Sequence, residues 1–493
     1  MRKERILLIS AFLLPIGIRS LPELLSWPWP IGFDTTGPYM LKILTSYDSY
    51  LSFRKLLEGT NLMYSILSTL YLGFGKNYFL AVKILGPLLF GTLNLLIYLY
   101  ATKTLRWNPF SSLLAVFFSS TYFTSLRISW DLYRNILGLI FLFGFLIVVR
   151  GASSIKDYVL SCIFASLTTL SHELTSYILF FIVGCDILLF IWRKRYRKAL
   201  LLLATLTVPL SLETYQRFSP SLGVVKVPLL QYGSGPSWEF SAKVFGFLAY
   251  CYMPLALPTF IGILVERDRH LAFWSASCLF VIIQNVLFPQ AALPYWFRCI
   301  LLLSYPFSFY AAKGLVRVYN SEILARFHKF LPKMLVVSYL LAMSTLSFLF
   351  IVKTPYMAFS YFSKYNPCID QIPSSMLQGI APIKDMPSLM ECISWLNASI
   401  PENSVVIEPH AFYFITRALL DPNIAVLHVR EVNFRMSPEF VLEEVHSVTA
   451  ENIYTIWWIP GRGWYGLPYL PEGFESIYSS GEIAVYVYKG SSS

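Results

Sequence analysis

Charge is what this chain has least of. Asp, Glu, Lys and Arg make up 14% of its 493 residues, where a soluble domain carries about a quarter. With 56% hydrophobic residues, too little polar surface is left to cover a water-soluble body, and lipid becomes the expected solvent. Acidic residues are scarcer than basic ones, 28 against 39. The net charge of +11 still excludes nothing and proves nothing until its placement is read. No RNA- or DNA-binding module is present, nor a basic, aromatic-interleaved patch, so nucleic acid is not an expected partner. The seven cysteines show no metal-ligand spacing. Cys162, Cys185, Cys251, Cys278 and Cys299 lie in apolar runs and read as small core residues. Internal repeats, low-complexity tracts and nucleotide-binding motifs are missing as well.

What is there is a series of apolar runs. Spanning the hydrocarbon core takes ~20 such residues. Candidates fall at roughly 6–24, 78–101, 109–126, 132–149, 158–171, 174–192, 198–212, 243–264, 271–288, 299–316 and 334–352, predicting about eleven membrane helices. The first run follows the basic start Met1-Arg2-Lys3-Glu4-Arg5. No small-residue cleavage site comes after it, because Arg19, Pro22 and Glu23 occupy that region, so it reads as a retained signal-anchor.

Lys and Arg in short loops mark the cytoplasmic side. With a cytoplasmic N-terminus, the basic loops all fall on that side: Lys103 and Arg106, Arg150 and Lys156, the run Arg193 to Lys198, Arg267 and Arg269, and the stretch from Lys313 to Lys333. This one-sided placement accounts for the positive charge. The other face carries a long first loop (about 25–77), two short junctions, a loop near 213–242, the stretch "FPQAALPYWFR", and everything after Lys353. Residues 353–384 read as a linker. From about 385 to 493, strand-like "SVVIEP", "IAVLHV" and "IYTIWWI" alternate with helical stretches, predicting a small external α/β domain. Cys368 and Cys392 lie on this oxidising side and are expected to pair. Asn397-Ala398-Ser399 is a glycosylation sequon on the same face.

Polar residues gather at the external helix ends. "WPWPIGFDTTGPYM" displays Asp34 between Gly32 and Gly37. "SLRISWDLYRN" supplies Arg127, Asp131 and Arg134, and "LTTLSHELTSY" supplies His172 and Glu173. Glu213 and Glu239 bound the long loop, and Arg298 closes "LPYWFR". Each residue has a plainer reading. Asp beside Gly and Pro is ordinary turn chemistry, charged residues at helix ends snorkel to headgroups, and His172-Glu173 would serve as a helix-end pair. Lys83, inside the second run, either snorkels outward or faces a cavity that takes anionic phosphate. Asp186, near the inner end of the sixth run, reads as structural, neutralised by the nearby "RKRYRK".

Taken together, the pattern resembles the GT-C superfamily of polytopic glycosyltransferases, which includes protein O-mannosyltransferases and oligosaccharyltransferases. That resemblance rests on "GFDTTGPY" in the long first external loop, "SWDLYRN" at a later external junction, and Arg298. It implies a mainly α membrane bundle over 1–352 and catalytic acids at Asp34 and Asp131. It further implies contacts from Arg298, Arg127, Arg134 and Lys83 to the phosphate of a polyprenyl-phosphate-linked sugar donor. His172, Glu173, Glu213 and Glu239 are accessory polar residues on this reading. Neither acid belongs to an Asp-x-Asp or Asp-Glu pair, so metal dependence stays open; Asp34 and Asp131 would be the ligands of a divalent cation (Mg or Mn) if one is used. "IWWIPG" lacks the aspartate of the Trp-Trp-Asp motif, which favours transfer of a single sugar over a whole oligosaccharide.

The expected activity is therefore inverting transfer of a sugar to an acceptor hydroxyl on a lipid, glycan or protein at the external face, with Asp34 as base. A lipid or solute transporter is the first alternative; inverted repeats and acids at mid-membrane depth would mark it, and neither is seen. A non-catalytic membrane subunit presenting its external domain to a partner is the second.

Overall fold

The computed structural model describes residues 2–218, 231–232, 238–288, 291–292, 296–352, 383–429, 438–460 and 469–490. Cys368, and with it the expected disulfide, lies outside the described residues, as does most of the 353–384 linker. Among the described residues, nine helices are long and apolar enough to cross a membrane. The chain is a multi-pass integral membrane protein.

Of the two remaining expected spans, 109–126 is broken and 158–171 forms a helix of 17 residues. The run 109–126 breaks at Tyr122, where φ −68° and ψ 134° are extended. It gives Pro109–Thr121, of 13 residues, followed by the short helix Phe123–Asp131. At 1.5 Å per residue, 13 residues cover only ~20 Å of a core ~30 Å thick. The run 158–171 lies in Ile155–Ser171, started by a Ser154/Asp157 capping box and ended by extended His172. Broken backbone at membrane depth is tolerated where protein encloses it; Tyr122 and His172 are both 1% exposed.

Exposure separates the inner helices from the outer ones. The most apolar window of Trp296–Phe327 is 83% buried, whereas that of Leu331–Val352 is 28% buried. Exposed Phe260, Leu264, Leu341 and Phe348 face outward as a lipid-contacting girdle requires. The first loop is not a loop. It folds into helices Phe33–Thr36, Pro38–Tyr50, Phe53–Leu57 and Leu62–Gly73, with Pro38 at a first helical position and Ser52 capping through its side chain.

Charges buried in the bundle are paired, because an isolated ion in a low-dielectric interior is too costly to keep. Arg19 of the helix Arg2–Leu25 donates to Glu23 Oε1 (2.8 Å) and to the Ser129 carbonyl (2.9 Å). Lys83 donates to the Glu23 carbonyl (2.7 Å) and sits 3.1 Å from Glu23 Oε2. Lys83 is thus engaged by Glu23. At the opposite end of the bundle, Asp186 pairs with Arg269 (2.9 Å) and His270 (2.8 Å). The expected neutralisation by the run Arg193 to Lys198 is replaced by residues of the helix Arg269–Leu287.

The C-terminal region is a five-stranded mixed sheet. From edge to edge the order is Ala425–His428, Val405–Glu408, Ile453–Trp458, Ile483–Tyr488 and Phe474–Ser480. The first three are parallel and the last two join antiparallel, Trp458 pairing with Ile483. The central strands are buried on both faces, which is why they read as unbroken apolar runs. Trp457 shares a buried cluster with Val441 and Val445 on one face, and Trp458 packs on Phe412 on the other. Residues of strand period two must divide this way.

Candidate active site

Gly32 begins the site. Its φ of 95° and ψ of 150° lie in a region essentially restricted to glycine, and a Cβ there would sit 2.4 Å from the Cβ of Asp131. The chain then makes one helical turn, Phe33–Thr36, fastened by Thr35 and Thr36 hydroxyls donating to the Gly32 carbonyl at 2.8 and 2.9 Å. The Tyr78 hydroxyl donates to the Thr35 carbonyl from the second membrane helix. Phe33 N–H donates to Asp131 Oδ2 at 3.0 Å. Asp131 Oδ1 pairs with Arg127, one turn earlier on the short helix Phe123–Asp131. Oδ2 of Asp131 therefore holds the loop, while Oδ1 is committed to Arg127.

Asp34 is arranged differently. It is half-buried, and its carboxylate makes no hydrogen bond among the described residues. Burial, then the Asp131 charge, raise its pKa to about 6, against the pull of Arg298, Arg134 and Arg127. Two carboxylates side by side thus differ in role by environment: one is tied and one is available.

Cations and aromatics surround the free acid. Arg134 donates to Glu173 Oε2 at 3.1 Å and to the Thr60 hydroxyl of the first loop. Arg298, half-buried in the first turn of Trp296–Leu302, exerts its charge on both Asp34 and Glu173. Lys42 donates to the Tyr64 hydroxyl at 3.1 Å, and burial, with the Arg134 charge, lowers its pKa to about 8. His172 caps the helix Glu173–Trp192.

The C-terminal sheet region closes over this loop. The ring of Phe33 stacks on His410 (4.8 Å between centroids) and meets Phe414 edge-on (5.7 Å). His410 Nδ1 lies 3.1 Å from His428 Nε2. Burial, and then His428, hold His410 down at about 4, and burial lowers His428 as well, which favours a hydrogen bond shared between the rings. A Cβ at Gly37 would stand 3.4 Å from Phe414.

The fold thus gathers Asp34, Asp131, Arg127, Arg134, His172, Glu173 and Arg298. Three expected members stand outside this group, Glu213 at its edge within reach of the Glu173 charge. Lys83 is held by Glu23; Glu213 accepts from Arg217 (2.8 Å) and Tyr177 (3.2 Å); Glu239 is exposed in the first turn of Trp238–Tyr252. Sequence reading missed Lys42, Thr60, Tyr64 and His410. Tyr39 and Lys42, three apart on Pro38–Tyr50, share a helical face, the one local signal that could have found Lys42.

A divalent cation would find few protein ligands among these acids. Among the described residues no three His, Cys, Asp or Glu side chains cluster to hold one. Asp131 is already spent on Arg127 and the Phe33 N–H.

No protein-family model matches the sequence, and no curated protein sequence does either. The fold, however, is shared with solved structures of two membrane proteins. ArnT from Cupriavidus metallidurans bound to undecaprenyl phosphate superposes with a TM-score of 0.53 at 12% identity, over 98% of this chain and 98% of that one. The apo form of ArnT gives 0.53 at 11% identity, over 99% and 98%. Arabinofuranosyltransferase AftD from Mycobacteria gives 0.54 at 12% identity, covering 99% of this chain and 40% of AftD.

Proposed function

We propose that this protein moves a sugar from a polyprenyl-phosphate-linked donor to an acceptor hydroxyl, with inversion, and that Asp34 is the base. The supporting observation is the division of labour between the two acids. Asp131 is locked by Arg127 and the Phe33 N–H, whereas Asp34 makes no hydrogen bond among the described residues, is half-buried and is ringed by arginine charge. The ArnT fold, solved with undecaprenyl phosphate, supplies the donor class.

The donor's tail stays in lipid and its phosphate lies toward Arg298 and Arg134. Asp34 takes the proton of the acceptor hydroxyl as its oxygen attacks the anomeric carbon. The new C–O bond forms on the face opposite the phosphate; the old one breaks, and its electron pair leaves on the phosphate oxygen. Arginines stabilise that leaving charge in a low-dielectric site. No step is routed through a metal. On this reading the Asp34 end of the bundle and the C-terminal sheet face the exterior and the basic loops face the cytoplasm.

The test is incubation of purified protein with a panel of polyprenyl-phosphate sugars, scoring acceptor-dependent release of free polyprenyl phosphate. Release from one sugar class supports the reading. No release from any donor, with a native-like melting profile, contradicts it.

A further inference from the structure

His172 ends one helix and caps the next. Its Nδ1 accepts the Leu174 N–H at 3.2 Å, so Nδ1 presents a lone pair and the neutral ring carries its proton on Nε2. The residue is 1% exposed, yet Nε2 has no hydrogen-bond partner among the described residues. A buried donor left unpaired costs free energy that a native structure seldom carries without reason. The cap itself does not explain the choice of histidine. The other side-chain caps among the described residues are Ser52, Asn77, Asn108, Ser154, Asp268 and Ser321, and any of those residue types satisfies a helix start. Histidine adds a second, distal donor.

The surroundings say what that donor would meet. The next residue, Glu173, pairs with Arg134, and the charges of Arg134 and Arg298 both reach the ring. These are two of the cations that act on Asp34. An anion drawn between the two guanidinium groups would bring acceptor oxygens toward an N–H that has none.

We propose that His172 Nε2–H donates a hydrogen bond to a phosphoryl oxygen of the polyprenyl-phosphate donor. The proposal rests on the function given above and names a further ligand-contacting residue of that site, set beside the arginines as a neutral donor.

Isosteric variants separate the two nitrogens. His172→Asn places an amide oxygen near Nδ1, keeping the cap and deleting the distal donor. His172→Gln extends an amide N–H to the position of Nε2 but gives up the short cap, and His172→Leu gives up both. Binding to the detergent-purified full chain is measured with undecaprenyl phosphate, with undecaprenol, and with an undecaprenyl-phosphate sugar that the parent turns over. Melting temperatures are recorded in parallel. The expected result is about ten- to a hundredfold weaker binding of undecaprenyl phosphate by His172→Asn. Its undecaprenol affinity should be unchanged, and the sugar-bearing donor should weaken by the same factor. Gln should bind the phosphate better than Leu.

Several results overturn the proposal. Parental affinity for undecaprenyl phosphate in a folded His172→Asn is one. Weakening confined to the sugar-bearing donor moves the contact to a sugar hydroxyl and is another. Equal loss for phosphate and alcohol makes the ring a packing element. Should Asn fail to fold, Gln binding no better than Leu decides against the contact. A parent that binds undecaprenyl phosphate no better than undecaprenol sinks the donor reading itself, and this inference with it.

Discussion

Replacing Gly32 with alanine probes the whole arrangement through one methyl group. The φ of 95° and ψ of 150° at this residue cost a side chain ~1–3 kcal/mol, and the new Cβ would stand 2.4 Å from the Asp131 Cβ. Only movement of the loop or of Asp131 relieves that approach. Either movement breaks the 3.0 Å bond from Phe33 N–H to Asp131, a bond to a charged acceptor worth ~1.5–3 kcal/mol. The sum is ~2.5–6 kcal/mol, which corresponds to about 10²–10⁴ in rate at about 1.36 kcal/mol per tenfold. The loop is a small part of the fold, so the cost should fall on turnover rather than on melting temperature. Donor turnover, scored as release of polyprenyl phosphate, should therefore drop at least about a hundredfold in a protein that still melts cooperatively. Gly184→Ala is the control. Its Cβ would meet nothing within 4 Å, and it lies mid-helix, where alanine is favoured over glycine by about 0.5–1 kcal/mol. Near-parental turnover by Gly32→Ala would refute the claim that this loop is held in register by Asp131.

Three further outcomes follow from the same geometry. Asp34 must be ionised to accept a proton and its pKa is raised to about 6, so kcat/KM should fall about tenfold per unit as pH drops below that value. Asp131→Asn removes one of the two causes of the rise and should move this limb to lower pH; a flat profile down to pH about 4.5 in the parent would exclude Asp34 as base. Arg298→Lys keeps charge but loses the two-pronged grip on phosphate, so it should weaken donor turnover less than Arg298→Ala does. Parental kinetics in both variants would make Arg298 a membrane anchor only. Chelation with EDTA should leave the initial rate unchanged, and a loss restored by Mg or Mn would show that the acids hold a metal after all.

How far the sequence could be read depended on whether a signal was local. Asp34 stood out because Gly32 and Gly37 flank it, and their spacing reports a backbone requirement within a few residues. Arg127 and Asp131 sit one helical turn apart, so their ion pair is implied by spacing alone. Basic loops all fell on one side, and apolar runs gave the helices, except that the run 109–126 is broken at Tyr122. That break is set by what encloses it: Tyr122 donates to the Cys251 carbonyl of a distant helix. Lys83 could be read two ways because its partner, Glu23, belongs to another helix. The same holds for His410, whose stacking on Phe33 joins the two ends of the chain. Pairings of this kind leave no pattern within either segment.

The central claim is that Asp34 is the base and Asp131 its scaffold, and one variant separates them most directly. Asp34→Asn keeps the shape and removes the basicity. It should bind a polyprenyl-phosphate sugar about as well as the parent, while acceptor-dependent release of polyprenyl phosphate falls by about 10²–10⁴. Transfer at near the parental rate would contradict the account and leave Asp34 a turn residue.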